Sequence, residues 1–317
     1  MTINEALLDK VTHKYPQGTN IAKVLMDILC IGKEAAYRRL RGDTVISLEE
    51  AARISQTLGL SLDNLIGTKA TNKALFELNI LDSSDPLTTY RSILEQYKKA
   101  YNNIKEYNNT EFQTAANLMP QSYYLYFDHI SKFRLFKWIY NNNNNSKIKK
   151  LSDLIIPDDI RTLRKEYVFS AKHVKETTYI FDHLIFSYIV NDIKYFSYIN
   201  LINKDELKLL KEDLIFMLDK LEEDTANGHF STGNKLNIYV SDVNIEASYG
   251  YLTTPLFNVA MIRLYSINAI MSTNPEVFKY NKNWIQSVKK YSTMISESAE
   301  TQRIKFFNKQ RDIVNEL

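Results

Sequence analysis

The sequence predicts a mainly α-helical protein: five short helices at the amino terminus, a larger helical domain behind them, and a small β-hairpin near residues 236–252. Three observations predict it. Gly and Pro number only 8 and 6 in 317 residues, few for the turns of a β-sandwich or the phosphate loop of a nucleotide enzyme. Apolar residues recur at three- and four-residue spacing through most of the chain. Residues 236–252 alone change period: Leu236, Ile238 and Val240 alternate with Asn237 and Tyr239, then Val243, Ile245, Ala247 and Tyr249 with Asn244, Glu246 and Ser248.

The amino-terminal helices carry their own start and stop signals. Thr2 and Glu5 have capping-box spacing, Leu7, Leu8 and Val11 follow on one face, and residues 15–18 end the helix. Thr19 is placed to cap a second helix with Ile21, Val24, Leu25, Ile28 and Leu29 inward, and Gly32 follows as a turn residue. A third helix runs from Lys33 to Arg41 and stops at Gly42. Ser47 and Glu50 form a second capping box, opening a helix that closes at Gly59, and Ser61, Leu62 and Asp63 open a fifth. Five helices with a tight turn between the second and third is the layout of a helix-turn-helix domain.

On a helical wheel Ala36 and Leu40 make the inner face of the third helix. Arg38 falls opposite them, flanked by Glu34, Tyr37 and Arg41. Arg suits bidentate contact with guanine and Glu can accept from cytosine. Lys33 and Arg39, at the first turn and the flank, are placed for phosphates, which position without specifying. The plain alternative is a solvated helix face, and residues 1–70 hold nine basic against eight acidic residues, so no domain-wide positive footprint exists. Cys30 is expected to be a buried structural thiol.

Residues 25–34, Leu-Met-Asp-Ile-Leu-Cys-Ile-Gly-Lys-Glu, resemble the helix-turn-helix core of the XRE, or lambda-repressor-like, regulators. Arg41-Gly42 resembles that family's end of the recognition helix, and residues 47–51 and 58–65 its fourth and fifth helices. Residues 34–42 are similar to a bacterial subgroup of these regulators, and Trp284-Ile285, residues 292–296 and Phe306-Phe307 to the ends of some of its members. The resemblance implies a lambda-repressor-like DNA-binding domain over residues 1–67. Thr19-Asn20 stand where the family usually has a phosphate-contacting Gln.

Residues 68–88 read as a polar linker around a short helix at 73–78, and residues 89–317 as the regulatory or dimerisation domain. Tyr90, Leu94, Tyr97, Tyr101 and Ile104 form a two-heptad seam, which either pairs with a second copy or packs on the chain's own helices. Helices are expected over 122–140, 158–175, 176–200 and 204–224, then from Pro255 with Val259, Ile262, Leu264 and Ile267 inward, and over 275–294 and 298–315. Asn141 to Asn145 read as an exposed loop. The basic residues Arg303, Lys305, Lys309 and Arg311 read as a solvated helix face.

Chemistry is mostly excluded. No G-x-S-x-G, Gly-rich phosphate loop, H-E-x-x-H or C-x-x-C is present, and Ser287 to Lys290 satisfies S-x-x-K without companion motifs. The five His residues show no ligand spacing, and Asp242, Asn244 and Glu246 read as the wet side of a strand rather than a metal site. One cysteine excludes an intramolecular disulfide and fits a reducing compartment. The most apolar stretch, residues 179–198, contains Asp182, His183, Asp192 and Lys194, so it reads as a buried helix and not a membrane span. The expectation is a cytoplasmic, non-enzymatic regulator, without cofactor or metal, that binds double-stranded DNA. A homodimer, and a small-molecule or peptide effector held among the 21 Tyr and 15 Phe, are compatible partners. A helical protein-interaction scaffold whose small domain does not read DNA is the alternative.

Overall fold

A computed structural model of the chain describes residues 2–15, 18–60, 62, 74–82, 84–142, 147–264 and 267–317. They fall into two compact units, Met1–Ala74 and Leu75–Leu317.

The smaller unit contains α1 (Ile3–His13), α2 (Ile21–Leu29), α3 (Lys33–Leu40) and α4 (Leu48–Leu58). Both capping boxes form: Thr2 Oγ1 accepts from the Glu5 amide at 3.2 Å, and Ser47 Oγ from the Glu50 amide at 3.2 Å. Helix α2 starts on Asn20 rather than Thr19, its Oδ1 accepting from the Lys23 amide at 3.2 Å. The turn into α3 also differs from expectation. Cys30 takes the left-handed conformation (φ 55°), while Gly32 is extended and caps α3. Cys30 is exposed, not a buried thiol. Leu7, Val11, Leu25, Ala36 and Ile54 centre one hydrophobic core. The helix expected from Ser61 lies outside the described residues apart from Leu62.

The larger unit corrects the expectation of a mainly α body with one hairpin. It is an α/β fold built on an eight-stranded mixed sheet. Its elements are β1 (Glu77–Asn79), α5 (Pro86–Ile104), β2 (Glu111–Ala116), α6 (Gln121–Tyr124), α7 (Asp128–Asn142), α8 (Asp158–Ala171), β3 (Glu176–Asp182), α9 (Ser187–Tyr198) and α10 (Lys204–Asn227). There follow β4 (Lys235–Ser241), β5 (Tyr249–Thr253), β6 (Asn258–Leu264), β7 (Asn268–Ser272), α11 (Pro275–Lys290), β8 (Ser292–Met294) and α12 (Glu300–Asn315). Strand order is β1-β7-β6-β5-β2-β3-β4-β8. Strands β2, β3 and β4 run parallel, joined by helical crossovers, and the remaining pairings are antiparallel.

Side chains of β3 alternate between two cores. Tyr179 and Phe181 join the large core with α5 to α10 and α12, whereas Ile180 packs with Ala115, Tyr251, Ile285 and Val288 under α11. Covered on both faces, residues 177–182 are each no more than 2% exposed. Such a strand need not alternate apolar with polar residues, and Tyr179, Ile180 and Phe181 stand side by side in it, which is why residues 176–200 read as one helix when they are β3 followed by α9.

Other corrections follow from the sheet. Strands β4 and β5 are not a hairpin: β3 and β2 lie between them. The segment from Pro255, read as a helix, is the β6–β7 pair, with Val259 and Ala260 inside. Within the expected linker, Glu77–Asn79 add β1 to the edge of the sheet. Residues 122–140 divide into α6 and α7, and residues 275–294 into α11 and β8. Asn141 and Asn142 end α7, and residues 143–145 lie outside the described residues. The Tyr90 seam packs inside its own chain: Tyr97 and Tyr101 place their rings 6.1 and 5.9 Å from Tyr167 of α8.

The connection from β4 to β5 is irregular over Asp242, Asn244 and Glu246, and a buried carboxylate holds it. Asp182, at the end of β3, accepts from the Ile245 amide at 2.7 Å and from the Leu184 amide at 2.8 Å. Asp182→Ala leaves both amides without that acceptor, so it is expected to cost about 2–4 kcal/mol, read from urea unfolding; Asp182→Asn, which keeps one acceptor oxygen, should cost less.

Candidate functional site

Two features could bind something, one in each unit. In the smaller unit α2 and α3 meet across the Cys30–Gly32 turn, with Leu25 and Ala36 fully buried between them. Burial of Ala36 sets the rotation of α3. Lys33, Glu34, Tyr37, Arg38 and Arg41 are all exposed as a result. Glu34, Arg38 and Arg41 follow one another at helical spacing, with Tyr37 beside them. Arg41 Nε lies 2.8 Å from Asp43 Oδ2, a pair open to water. Arg38 makes no ion pair among the described residues.

Arg39 is held differently. Its Nε and Nη2 reach the two carboxylate oxygens of Glu50 at 3.0 and 2.6 Å, and its Nη1 donates to the Ala35 carbonyl at 3.1 Å. Glu50 Oε2 also accepts from the Ser47 amide at 3.0 Å. One carboxylate thus closes the cap of α4 and fastens α3 to it. Hydrogen bonds from Arg39 hold the Glu50 carboxyl below the usual carboxylate range. The outer face of α3 therefore keeps five of the six residues read as DNA contacts, and the sixth braces the helix that carries them.

In the larger unit a cavity of about 290 Å³ lies between α5, α8 and the sheet. Alternate residues of the strands form its floor: Phe112 and Thr114 on β2, Leu252 on β5, and Val259, Met261 and Arg263 on β6. Tyr97, Tyr101 and Tyr167 from the helices, with Tyr179 from β3, supply aromatic walls. Burial pushes Tyr97 and Tyr101 up to about 12, against the opposing pull of the nearby Arg263 guanidinium. Both phenols are therefore neutral donors at neutral pH. Arg263 Nη1 is shut from solvent without a hydrogen-bond partner among the described residues, a condition that costs about 1–3 kcal/mol.

The Tyr and Phe content of the chain allows an effector site but does not locate this cavity. Placing Val259, Ile262 and Leu264 on a helix turned Arg263 away from any site. The period-two set Phe257, Val259, Met261 and Arg263 was the signal available. Among the described residues no group of three or more His, Cys, Asp and Glu is placed to hold a metal ion, and no helix is long and apolar enough to cross a membrane. No family model, curated protein or solved structure matches the chain.

The role of Glu50 is open to direct measurement. A carboxyl lowered in the folded state contributes stability that is present above its unfolded value, about 4.3, and lost as the pH falls through the folded one. Glu50→Gln is expected to destabilise α3 and α4 by about 1–2 kcal/mol at pH 7. That difference should shrink below about pH 4, followed through their amide resonances in thermal melts.

Proposed function

We propose that this chain is a sequence-specific DNA-binding transcriptional regulator in which α3 enters the major groove. The observation that carries the reading is the exposed row Glu34, Tyr37, Arg38 and Arg41 on a helix whose opposite side is anchored by Ala36 and Arg39. A recognition helix needs this combination, because side chains can discriminate base edges only from a backbone held in fixed register. Arg38 and Arg41 are suited to the acceptor edge of guanine, Glu34 to the amino group of cytosine, and Tyr37 to either base or phosphate. Lys33, at the first turn, is suited to a phosphate. The resemblance of residues 25–42 to XRE regulators supports the same assignment. The larger unit would then be the regulatory part.

The test is selection of bound sequences from a random duplex pool at near-physiological salt. Wild type is expected to enrich one site, with affinity falling steeply as salt rises. Arg38→Ala combined with Arg41→Ala should lose at least tenfold in affinity for that site, since one good bidentate contact is worth about 1–3 kcal/mol. Lys208→Ala, an exposed cation of the larger unit, should leave it unchanged. Equal binding by the double variant would overturn the recognition face. Absence of enrichment by folded wild type, with and without added cell extract, would overturn the reading.

A further inference from the structure

The cavity of the larger unit has an unbalanced chemistry. Leu252, Val259 and Met261 with the rings of Tyr97, Tyr101 and Tyr167 make an apolar sleeve. Some polar groups of the wall are engaged: Ser122 Oγ lies 2.6 Å from the Tyr179 hydroxyl, and Thr114 Oγ1 donates to the Tyr249 carbonyl at 2.6 Å. Arg263 is not. Its side chain makes no hydrogen bond or ion pair among the described residues.

A second orphan stands in the same row of the sheet. Asn79 pairs with Ala269 and Ala269 with Arg263, so all three side chains share one face, with only a methyl between the two polar ones. Asn79 Nδ2 is also buried without an acceptor. Both unmet groups are donors and one is charged, so the partner they lack is an acceptor carrying negative charge. Glu77, the acidic residue among those lining the cavity, does not fill that role. It is exposed on the edge strand, where water screens it, and makes no ion pair with the guanidinium.

We infer that this cavity binds a small apolar monocarboxylate, its body in the tyrosine-lined sleeve and its head group on Arg263. A carboxylate matches the fork of a guanidinium, and the charge-assisted hydrogen bonds gain strength where water is excluded. The neighbouring phenols stay protonated and add no negative charge against the head group. A volume of about 290 Å³ is at the small end of ligand pockets and suits a small molecule better than a peptide of several residues. A phosphate dianion would face a single guanidinium and is disfavoured. The assignment stands apart from the DNA reading, because it is measured on the full chain with no DNA present.

The experiment is calorimetric titration of the full chain with octanoate, 3-phenylpropionate and indole-3-acetate, each beside its methyl ester. At least one acid is expected to bind ten times or more tightly than its ester. Arg263→Gln should erase that margin by weakening the acid far more than the ester, and Arg263→Lys should restore part of it. Ala100→Phe, introduced at an exposed position of α5 that lines the cavity, should block acid and ester alike. Failure of all three acids to bind, equal binding of acids and esters, or undiminished binding to the Ala100→Phe protein would each overturn the inference. The acid-to-ester margin and the Ala100→Phe protein decide the matter even if substitution of Arg263 disturbs folding.

Discussion

Burial of β3 on both faces is the constraint from which the larger unit is built. Residues 177–182 are almost entirely shut from solvent, so the amides and carbonyls of the strand must find partners in the sheet. Parallel neighbours β2 and β4 supply them along its full length. Parallel pairing in turn requires crossovers, and the helical segments between β2 and β4 are those crossovers, laid over the face that carries Tyr179 and Phe181. The opposite face, with Ile180, is closed by α11. Asp182 extends the same logic beyond the strand's end, where its two oxygens satisfy the first amides that the sheet cannot.

The smaller unit solves a different problem, that of presenting polar side chains from a short helix without letting the helix rotate. Eight residues bury too little surface to fix α3 by packing alone. Ala36 gives it close approach to the core, and the Arg39–Glu50 pair gives it direction. Because Glu50 is at once the partner of Arg39 and a member of the α4 capping box, the start of one helix and the orientation of the other depend on one carboxylate. That arrangement leaves Arg38 and Arg41 outward, the condition on which the proposed DNA reading rests.

In the cavity the energetics run the other way. Interiors pair their polar groups, and part of this wall obeys: Ser122 with Tyr179, Thr114 with the Tyr249 carbonyl. Here an arginine and an asparagine, each with a buried, unmet donor, stand in a single cross-strand row. Destabilising features of this kind persist where something outside the fold offsets them, which is the physical ground for treating the row as part of a binding site.

Local signals in the sequence determined the helices of the smaller unit: the Thr2 and Ser47 capping boxes, the stops at Gly42 and Gly59, and the wheel that turns Ala36 in and Arg38 out. Each acts within a turn or two of chain, so each is legible without the fold. Long-range pairing was not. A strand covered on both sides loses the alternation that would identify it, hence β3 resembled a helix. In β4 and β5 the alternation was visible, but their partners were not, since hydrogen bonding to β3 and β8, or to β2 and β6, depends on segments up to about 140 residues away. The same held for single residues. Sequence placed Arg39 on the flank of α3, and only the fold brought Glu50 to it. Arg263 acquired its place in a cavity only when three strands aligned it with Ala269 and Asn79. Helix ends are decided by neighbours in the chain, whereas sheets and cavities are decided by neighbours in space.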